Sequence, residues 1–193
     1  MSGLNGLVLS GGQSRRMGRD KGAIVYPHAL LDQRSRCYRL LQAVCDQVLV
    51  SCRREQAGLV PGHLPLIFDA VNCSGPAAGI LSAHAFAPGA AWLVMACDFP
   101  FVGEQTIRQL VAGRNRAKAA TCFLNSDLVI EPLLTIWEST ALRALRRDAE
   151  QILVSPRHVL ESLDCEQLSM LDSRVLLNVN CPADLLRQVE PVA

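Results

Sequence analysis

The sequence has almost no net charge and no long hydrophobic run. Its 19 basic and 18 acidic side chains leave a formal charge of +1 over 193 residues, so we expect neither a nucleic acid nor a membrane surface as a partner. No apolar stretch reaches about 18 residues, the length typical of a membrane-spanning helix. The sequence also begins without the pattern of a signal peptide, and we therefore expect a cytoplasmic protein.

Metal-binding patterns are missing although the chain has eight cysteines and four histidines. No two cysteines form a C-x-x-C pair, and no histidine lies at zinc-finger spacing from them. Most cysteines lie among apolar residues, as Cys97 does after Met95 and Ala96. We therefore expect buried, reduced thiols rather than zinc ligands or disulfides.

Two common phosphate-binding motifs are also absent. A P-loop needs Gly, four residues and then Gly-Lys-Ser/Thr, but Gly18 is followed by Arg19 and Lys21 by Gly22. The dinucleotide-binding pattern G-x-G-x-x-G does not occur either. A polyphosphate ligand would therefore need a different kind of loop.

A strand followed by a glycine-rich, basic loop is the most informative feature that is present. The apolar run from Leu7 to Leu9 predicts a buried strand, and Gly11 and Gly12 follow it closely. Residues 13–21 then carry three arginines and one lysine. Glycines let the backbone approach a ligand closely, and arginine and lysine supply the positive charge that a polyphosphate needs. The loop is therefore typical of a phosphate-binding segment.

Predicted strands and helices alternate along the chain. Short apolar runs predict strands over residues 5–10, 48–50, 64–68, 91–97, 119–124, 129–134 and 175–177. Helical spacing of apolar side chains and helix-start signals predict helices over residues 32–47, 77–86, 104–112, 138–147 and 182–189. This order indicates an α/β fold, a three-layer sandwich with a mostly parallel sheet, and we expect residues 1–193 to form one domain. No element is predicted over residues 151–171.

Polar residues follow the predicted strands where the strands end. They are Ser10, Ser51, Asp69 and Asp98. Ligands of open α/β sheets bind outside the carboxyl ends of the strands, so we expect these side chains to share one crevice. Asp98 follows a fully apolar strand, and its carboxylate suits either Mg²⁺ or hydrogen bonding to loop amides.

Four motifs occur in order along most of the chain. The first is Leu9-Ser10-Gly11-Gly12-x-Ser14-x-Arg16-Met17-Gly18-x-Asp20-Lys21, and the second is Gly75-Pro76-Ala77-Ala78-Gly79. The third is Cys97-Asp98-Phe99-Pro100-Phe101, and the fourth is Asn178-Val179-Asn180-Cys181-Pro182-Ala183-Asp184-Leu185. Together they resemble the signature of the molybdenum cofactor guanylyltransferases, nucleotidyltransferases with a Rossmann-like nucleotide-diphospho-sugar transferase fold. The family usually has Ala where Ser10 stands and Thr where Cys181 stands.

The resemblance implies an activity and the residues that carry it. GMP would pass from GTP to the terminal phosphate of molybdopterin, releasing pyrophosphate, with Mg²⁺ as the cofactor. Catalytic roles would fall to Arg16, Lys21 and Asp98, and Asp98 would bind the metal. The nucleotide would be bound by Leu9, Ser10, Gly11, Gly12, Lys21, Ser51, Asp69, Gly79 and Asp98. Asn178 and Asn180 would face the molybdopterin substrate, and maturation proteins of molybdoenzymes are a further implied partner.

Two other functions stay open at this point. The first is a cytidylyltransferase acting on the same cofactor, although Gly11 and Gly12 favour guanine because cytidylyl relatives tend to carry Ala-Gly there. Ser51 bears on this choice, since some relatives have Asn near the base at that position. The second is a nucleotide-binding protein that delivers the cofactor without turnover. Loss of Lys21 or Asp98 would have indicated that function, and both residues are present.

Overall fold

The computed structural model describes residues 3–11, 20–26, 29–69, 73–149, 154–170 and 172–177. Their seven strands are β1 (Leu4–Leu9), β2 (Val48–Cys52), β3 (Leu66–Phe68), β4 (Ala91–Ala96), β5 (Ala120–Leu124), β6 (Ile130–Trp137) and β7 (Glu166–Ser169). The α-helices among these residues are α1 (Gln33–Gln42), α2 (Pro76–Phe86), α3 (Glu104–Ala112), α4 (Ser139–Asp148) and α5 (Pro156–Glu161). Short 3₁₀ helices cover Lys21–Ala23, Arg54–Leu59 and Ser173–Leu176.

All seven described strands join one sheet in the order β3-β2-β1-β4-β6-β5-β7. Strand β1 is parallel to β2 and β4, and β2 is parallel to β3. Strand β6 is antiparallel to both β4 and β5, whereas β7 is parallel to β5. The prediction of an α/β fold with a mostly parallel sheet is confirmed.

The apolar runs at the centre of the sheet are explained by helices on both of its faces. Every residue of β4 is buried, as expected for a central strand covered on two sides. In β1, a Cβ atom at Gly6 would touch Leu41 of α1, whereas the side chain of Leu9 lies against Gly79 of α2. Because side chains alternate along a strand, these contacts place α1 and α2 on opposite faces of the sheet.

Strand register brings the ends of β1, β2 and β4 to the same edge. Leu9 pairs with Ser51 of β2 and with Ala96 of β4. The backbone hydrogen bonds continue past the strand ends, with Ser10 N donating to Ser51 O at 3.0 Å and Cys97 N donating to Leu9 O at 3.2 Å. The residues that follow these strands are therefore held side by side.

The predicted elements match the structure well up to residue 148, with one helix shorter than expected. Helix α1 ends at Gln42 rather than extending to residue 47. Its C-terminal cap is Ala43, and Asp46 N then donates to Leu4 O at 2.9 Å. The chain must turn here to enter β2, so the helical spacing of apolar residues continues for one turn beyond the helix itself.

The region without a prediction, residues 151–171, contains α5 and β7. Strand β7 reads Glu166-Gln167-Leu168-Ser169 and alternates between half-buried and exposed residues at its position beyond β5. It lies at one end of the strand order and, among the described strands, pairs only with β5. A strand at the edge of a sheet is less buried, so β7 lacks the apolar run of the central strands. Sequence hydrophobicity therefore did not reveal it.

The strand predicted over residues 175–177 is wrong. Ser173–Leu176 forms a 3₁₀ helix, and the Asp172 carboxylate caps it by accepting from Arg174 N at 3.0 Å. Three consecutive apolar residues do not distinguish a strand from a helical turn, and the capping aspartate decides the outcome here. The helix predicted over residues 182–189 lies outside the described residues. Among the described helices, none has both the length and the apolar character needed to cross a membrane.

Candidate active site

A cleft at the carboxyl edge of β1, β2 and β4 collects the predicted site residues. Eight of them are described, and all eight line it: Leu9, Ser10, Gly11, Lys21, Ser51, Asp69, Gly79 and Asp98. Gly12, Arg16, Asn178 and Asn180 lie outside the described residues. The same cleft is also lined by Asp20, Cys97 and Leu133, for which no role was predicted.

Lys21 and Asp98 face one another across this cleft. The Lys21 Nζ atom lies 3.8 Å from Asp98 Oδ2, and the two side chains are 18% and 20% exposed. Burial raises the pKa of Asp98, and the positive charge of Lys21 opposes that rise. The Asp98 Oδ1 atom is buried and accepts no hydrogen bond from any described residue. Such an oxygen is suited to accept a cation, because a buried acceptor without a partner costs free energy.

The other end of the cleft joins β2, the residue after β3 and the start of α2. The Ser51 hydroxyl donates to Asp69 Oδ1. Burial raises the pKa of Asp69, and the hydrogen bond from Ser51 opposes the rise. Gly11 lies so close that a Cβ atom there would be 2.5 Å from Asp69 Oδ2. This end of the cleft therefore presents the Asp69 carboxylate and the exposed backbone of Gly11 to a ligand.

Helix α2 points its N-terminus at the cleft. Gly75 precedes the helix with a φ of +68°, a conformation that glycine adopts readily and other residues rarely do. Pro76 occupies the first turn, where its missing N–H costs nothing. Gly75, Pro76 and Gly79 all line the cleft. The positive end of the helix dipole therefore adds to the charge of Lys21 in favouring an anionic ligand.

Gly79 is a position where a larger residue should destabilise the fold. A Cβ atom there would lie 2.6 Å from Leu9 Cδ2 and closer still to the Ser51 hydroxyl. Overpacking of this kind costs about 1–3 kcal/mol, so urea denaturation of Gly79→Ala should show a loss of that size. Gly89→Ala is the control, because a Cβ atom at Gly89 would meet nothing within 4 Å. Equal stability of the two variants would contradict the close packing of α2 on this edge.

Arg34 is the main residue of the site that the sequence interpretation missed. Only 1% of it is exposed, and it lies on the same stripe of α1 as the buried residues Cys37 and Leu41. Its Nε atom donates to Ser10 Oγ at 2.6 Å, and its Nη2 atom donates to Asp20 Oδ2 at 2.5 Å. The sequence did contain a signal for this residue, because Arg34 lies at helical spacing from apolar residues and is therefore expected to be buried. A buried guanidinium needs hydrogen-bond partners, which indicates a structural role.

Glu131 of β6 is a second buried acid near the cleft. It is 7% exposed, and its Oε1 atom accepts from Leu133 N at 2.9 Å. Burial raises the pKa of Glu131, and the negative charge of Asp98 raises it further. The Glu131 carboxylate therefore lies within electrostatic range of Asp98, while Leu133 forms part of the cleft lining.

The cysteines of the described region are free thiols. Seven are described, and none of them forms a disulfide in the structure. Burial raises the pKa of Cys97 to about 12, so this thiol is protonated at neutral pH although it borders the cleft. No group of three or more His, Cys, Asp or Glu side chains is arranged to hold a metal within the part of the chain that the structure describes.

Fold and site together define a class of protein. A mostly parallel sheet brings a glycine-bearing turn, a lysine and a strand-end aspartate together at one edge, an arrangement that suits a nucleotide-binding protein of the α/β class. The family model described as the MobA-like NTP transferase domain matches residues 6–168. The chain belongs to this family.

Individual relatives agree with that assignment. A molybdenum cofactor guanylyltransferase from Pseudomonas paraeruginosa is 31% identical over 188 residues, which cover 95% of this chain and 93% of that protein. A molybdenum cofactor biosynthesis bifunctional protein from Synechocystis is 34% identical over 186 residues. That match covers 94% of this chain and 52% of the bifunctional protein, so the chain spans about half of its length.

Solved structures share the fold. The molybdopterin-guanine dinucleotide biosynthesis protein A from Archaeoglobus fulgidus superposes with a TM-score of 0.77 at 23% identity, covering 95% of each chain. A nucleotidyl transferase from Methanothermobacter thermautotrophicus gives a TM-score of 0.73 at 15% identity, covering 96% of this chain and 95% of that one. At these identities the likeness concerns the fold alone.

Proposed function

We propose that this chain transfers GMP from GTP to the terminal phosphate of molybdopterin and releases pyrophosphate. The observation that carries the proposal is the placement of Lys21 opposite Asp98 in one cleft with Gly11, Ser51 and Asp69. Membership of the MobA-like NTP transferase family supports nucleotidyl transfer. Relatives named molybdenum cofactor guanylyltransferase support the choice of guanine and of the acceptor.

The proposed reaction is an in-line displacement at the α-phosphorus of GTP. A bond forms from an oxygen of the acceptor phosphate to the α-phosphorus, and the bond to the bridging oxygen breaks. The electron pair leaves with pyrophosphate. No covalent enzyme intermediate is required, so the protein contributes positioning and charge stabilisation. Lys21 offsets the charge on the leaving pyrophosphate, and Arg16, which lies outside the described residues, shares that role.

Asp98 is the proposed ligand for Mg²⁺. Its buried Oδ1 atom has no partner among described residues, and a single carboxylate suits Mg²⁺, which takes its other ligands from phosphates and water. When bound, the ion supplies positive charge that stabilises the phosphates during transfer. Lys21 lies on the Oδ2 side of the same carboxylate, with its Nζ atom 3.8 Å from that oxygen.

The two substrates are proposed to bind at different sides of the cleft. Guanosine is assigned to Leu9, Ser10, Gly11, Ser51, Asp69 and Gly79, and also to Gly12, which lies outside the described residues. Asn178 and Asn180, beyond the described residues, face the molybdopterin side. A cytoplasmic location and transfer of the product to molybdoenzyme maturation proteins belong to the same proposal.

GTP should be preferred to CTP by a wide margin. Asp69 offers a carboxylate acceptor beside the exposed backbone of Gly11, and guanine presents more donors than cytosine on its Watson–Crick edge. A site built to hydrogen-bond one base leaves polar groups unpaired with another, and such sites discriminate strongly. The measurement is kcat/KM for each of the four ribonucleoside triphosphates with the same molybdenum-loaded molybdopterin. Preference for CTP would overturn the guanine assignment and move the chain to the cytidylyl activity.

A further inference from the structure

The first two turns of α1 contact both chain segments that carry the charged pair of the site. Arg34 reaches the end of β1 through Ser10 and the Lys21 segment through Asp20. Its third contact is a hydrogen bond from Nη1 to Leu59 O at 3.2 Å. One buried guanidinium therefore ties together three separate segments of the chain.

Arg34 acts on Lys21 through Asp20. Asp20 Oδ2 accepts from Arg34, while Asp20 Oδ1 accepts from Gly22 N at 2.9 Å and caps the 3₁₀ turn Lys21–Ala23. Gly22 fits directly against the guanidinium, because a Cβ atom there would lie 2.6 Å from Arg34 Nη2. The backbone that carries Lys21 is thus fixed on both sides by Arg34.

Arg36 acts on the segment after Asp98 in the same manner. Its Nη2 atom donates to Phe99 O at 2.9 Å, and its Nη1 atom donates to Val102 O at 2.6 Å. Gln33 adds a hydrogen bond from Nε2 to Phe99 O at 3.0 Å, and its Oε1 atom accepts from Arg36 Nε at 2.9 Å. The residue directly after Asp98 is therefore bound by two side chains of α1.

We propose that α1 sets the position of Lys21 relative to Asp98, with Arg34 and Arg36 as positioning residues. The inference rests on the proposed function, because that function gives Lys21 and Asp98 their roles. The Lys21 Nζ and Asp98 Oδ2 atoms lie 3.8 Å apart, beyond the usual length of a hydrogen bond, so this ion pair does not by itself define their separation. Helix α1 contacts both supporting segments and fixes the backbones from which the two side chains extend.

Ser10 belongs to the same set of contacts around Arg34. Its hydroxyl accepts the hydrogen bond from Arg34 Nε at 2.6 Å. Lysine could not replace Arg34, because only the planar guanidinium fork directs donors to Ser10, Asp20 and Leu59 together.

The test compares Arg34→Lys and Arg36→Lys with Arg39→Lys, a matched control at an exposed position of the same helix. We measure kcat and KM for GTP and the affinities for GTP and guanosine by calorimetry. Arg34→Lys should lower kcat/KM roughly 100-fold, as small misplacements of catalytic groups do. For Arg36→Lys the guanosine affinity should change less than about twofold, because Arg36 bonds to Phe99 O and Val102 O and to no residue of the guanosine side. Arg39→Lys should match the wild type.

Chemical rescue separates positioning from a loss of folding. Added guanidinium at millimolar concentration should restore part of the turnover of Arg34→Ala and none of the turnover of Lys21→Ala. Ser10→Ala, which removes one of the three hydrogen-bond partners of Arg34, is expected to lose a fewfold in kcat. Arg34→Lys with kcat/KM equal to that of Arg39→Lys would overturn the inference, as would equal losses of affinity for GTP and guanosine in Arg36→Lys. If the wild type transfers no GMP but Arg36→Lys still weakens the binding of GTP more than that of guanosine, the proposed reaction fails and the positioning role stands.

Discussion

Asp98→Asn should nearly abolish GMP transfer and leave the fold intact. Asparagine has the same shape but lacks the negative charge that pairs with Lys21 and suits a cation at the buried Oδ1 atom. Electrostatic contributions of this kind are worth about 10²–10³-fold in kcat, and loss of the metal adds to that. The measurement is kcat at saturating Mg²⁺, with thermal denaturation to check the fold.

Asp127→Asn provides the control for this substitution. Asp127 is an exposed acid in the turn between β5 and β6 and does not line the cleft. The same chemical change there should leave kcat as it is. Turnover of Asp98→Asn close to that of the wild type at saturating Mg²⁺ would contradict the metal-binding role.

Lys21→Ala should weaken the binding of GTP much more than that of guanosine. If Lys21 contacts the phosphates, its loss removes a charge-assisted hydrogen bond worth about 1.5–3 kcal/mol. That free energy corresponds to roughly a 10- to 150-fold loss of GTP affinity. Guanosine has no phosphate, so its affinity should stay near that of the wild type. Calorimetry with both ligands measures the difference.

Lys118→Ala is the matched control for Lys21. Lys118 pairs with Asp164, its Nζ atom lying 2.6 Å from Oδ2, and it does not line the cleft. Its removal should not change the affinity for either ligand. Equal losses for GTP and guanosine in Lys21→Ala would mean that Lys21 supports the cleft as a whole and does not act on the phosphates.

Sequence patterns predicted which residues come together in the cleft, because these residues directly follow buried strands. Parallel strands that lie side by side place their carboxyl ends together, so Ser10, Ser51, Asp69 and Asp98 meet without further information. The strands themselves were visible as apolar runs because helices cover both faces of the central sheet. Placement directly after a strand was therefore sufficient to predict this part of the cleft lining.

The contacts that support the site were not predictable in the same way. Arg34 belongs to a helix whose apolar stripe was recognised, but its partners are 24 residues before it, at Ser10, and 14 residues before it, at Asp20. No spacing rule connects these positions, since the fold alone brings them together. The hydrogen bond between Ser51 and Asp69 likewise depends on the register of β2 and β3.

Errors outside the site have local causes. Strand β7 was missed because its side chains are largely polar, and the strand over residues 175–177 was predicted because three apolar residues follow one another. In the latter case Asp172 favours a helical turn by accepting from Arg174 N. Local hydrogen bonding by a short polar side chain outweighed the apolar pattern.

The most direct test of the account follows the α-phosphorus of GTP. Wild-type protein is incubated with Mg²⁺, molybdenum-loaded molybdopterin and GTP labelled at the α-phosphorus, and the products are separated and identified by mass. Nucleotidyl transfer predicts that the label appears in a molybdopterin guanine dinucleotide, with one pyrophosphate released for each. Asp98→Asn should form neither product. Label that stays in GDP while inorganic phosphate is released would contradict the account, because it would show hydrolysis at the γ-phosphorus instead of transfer of GMP.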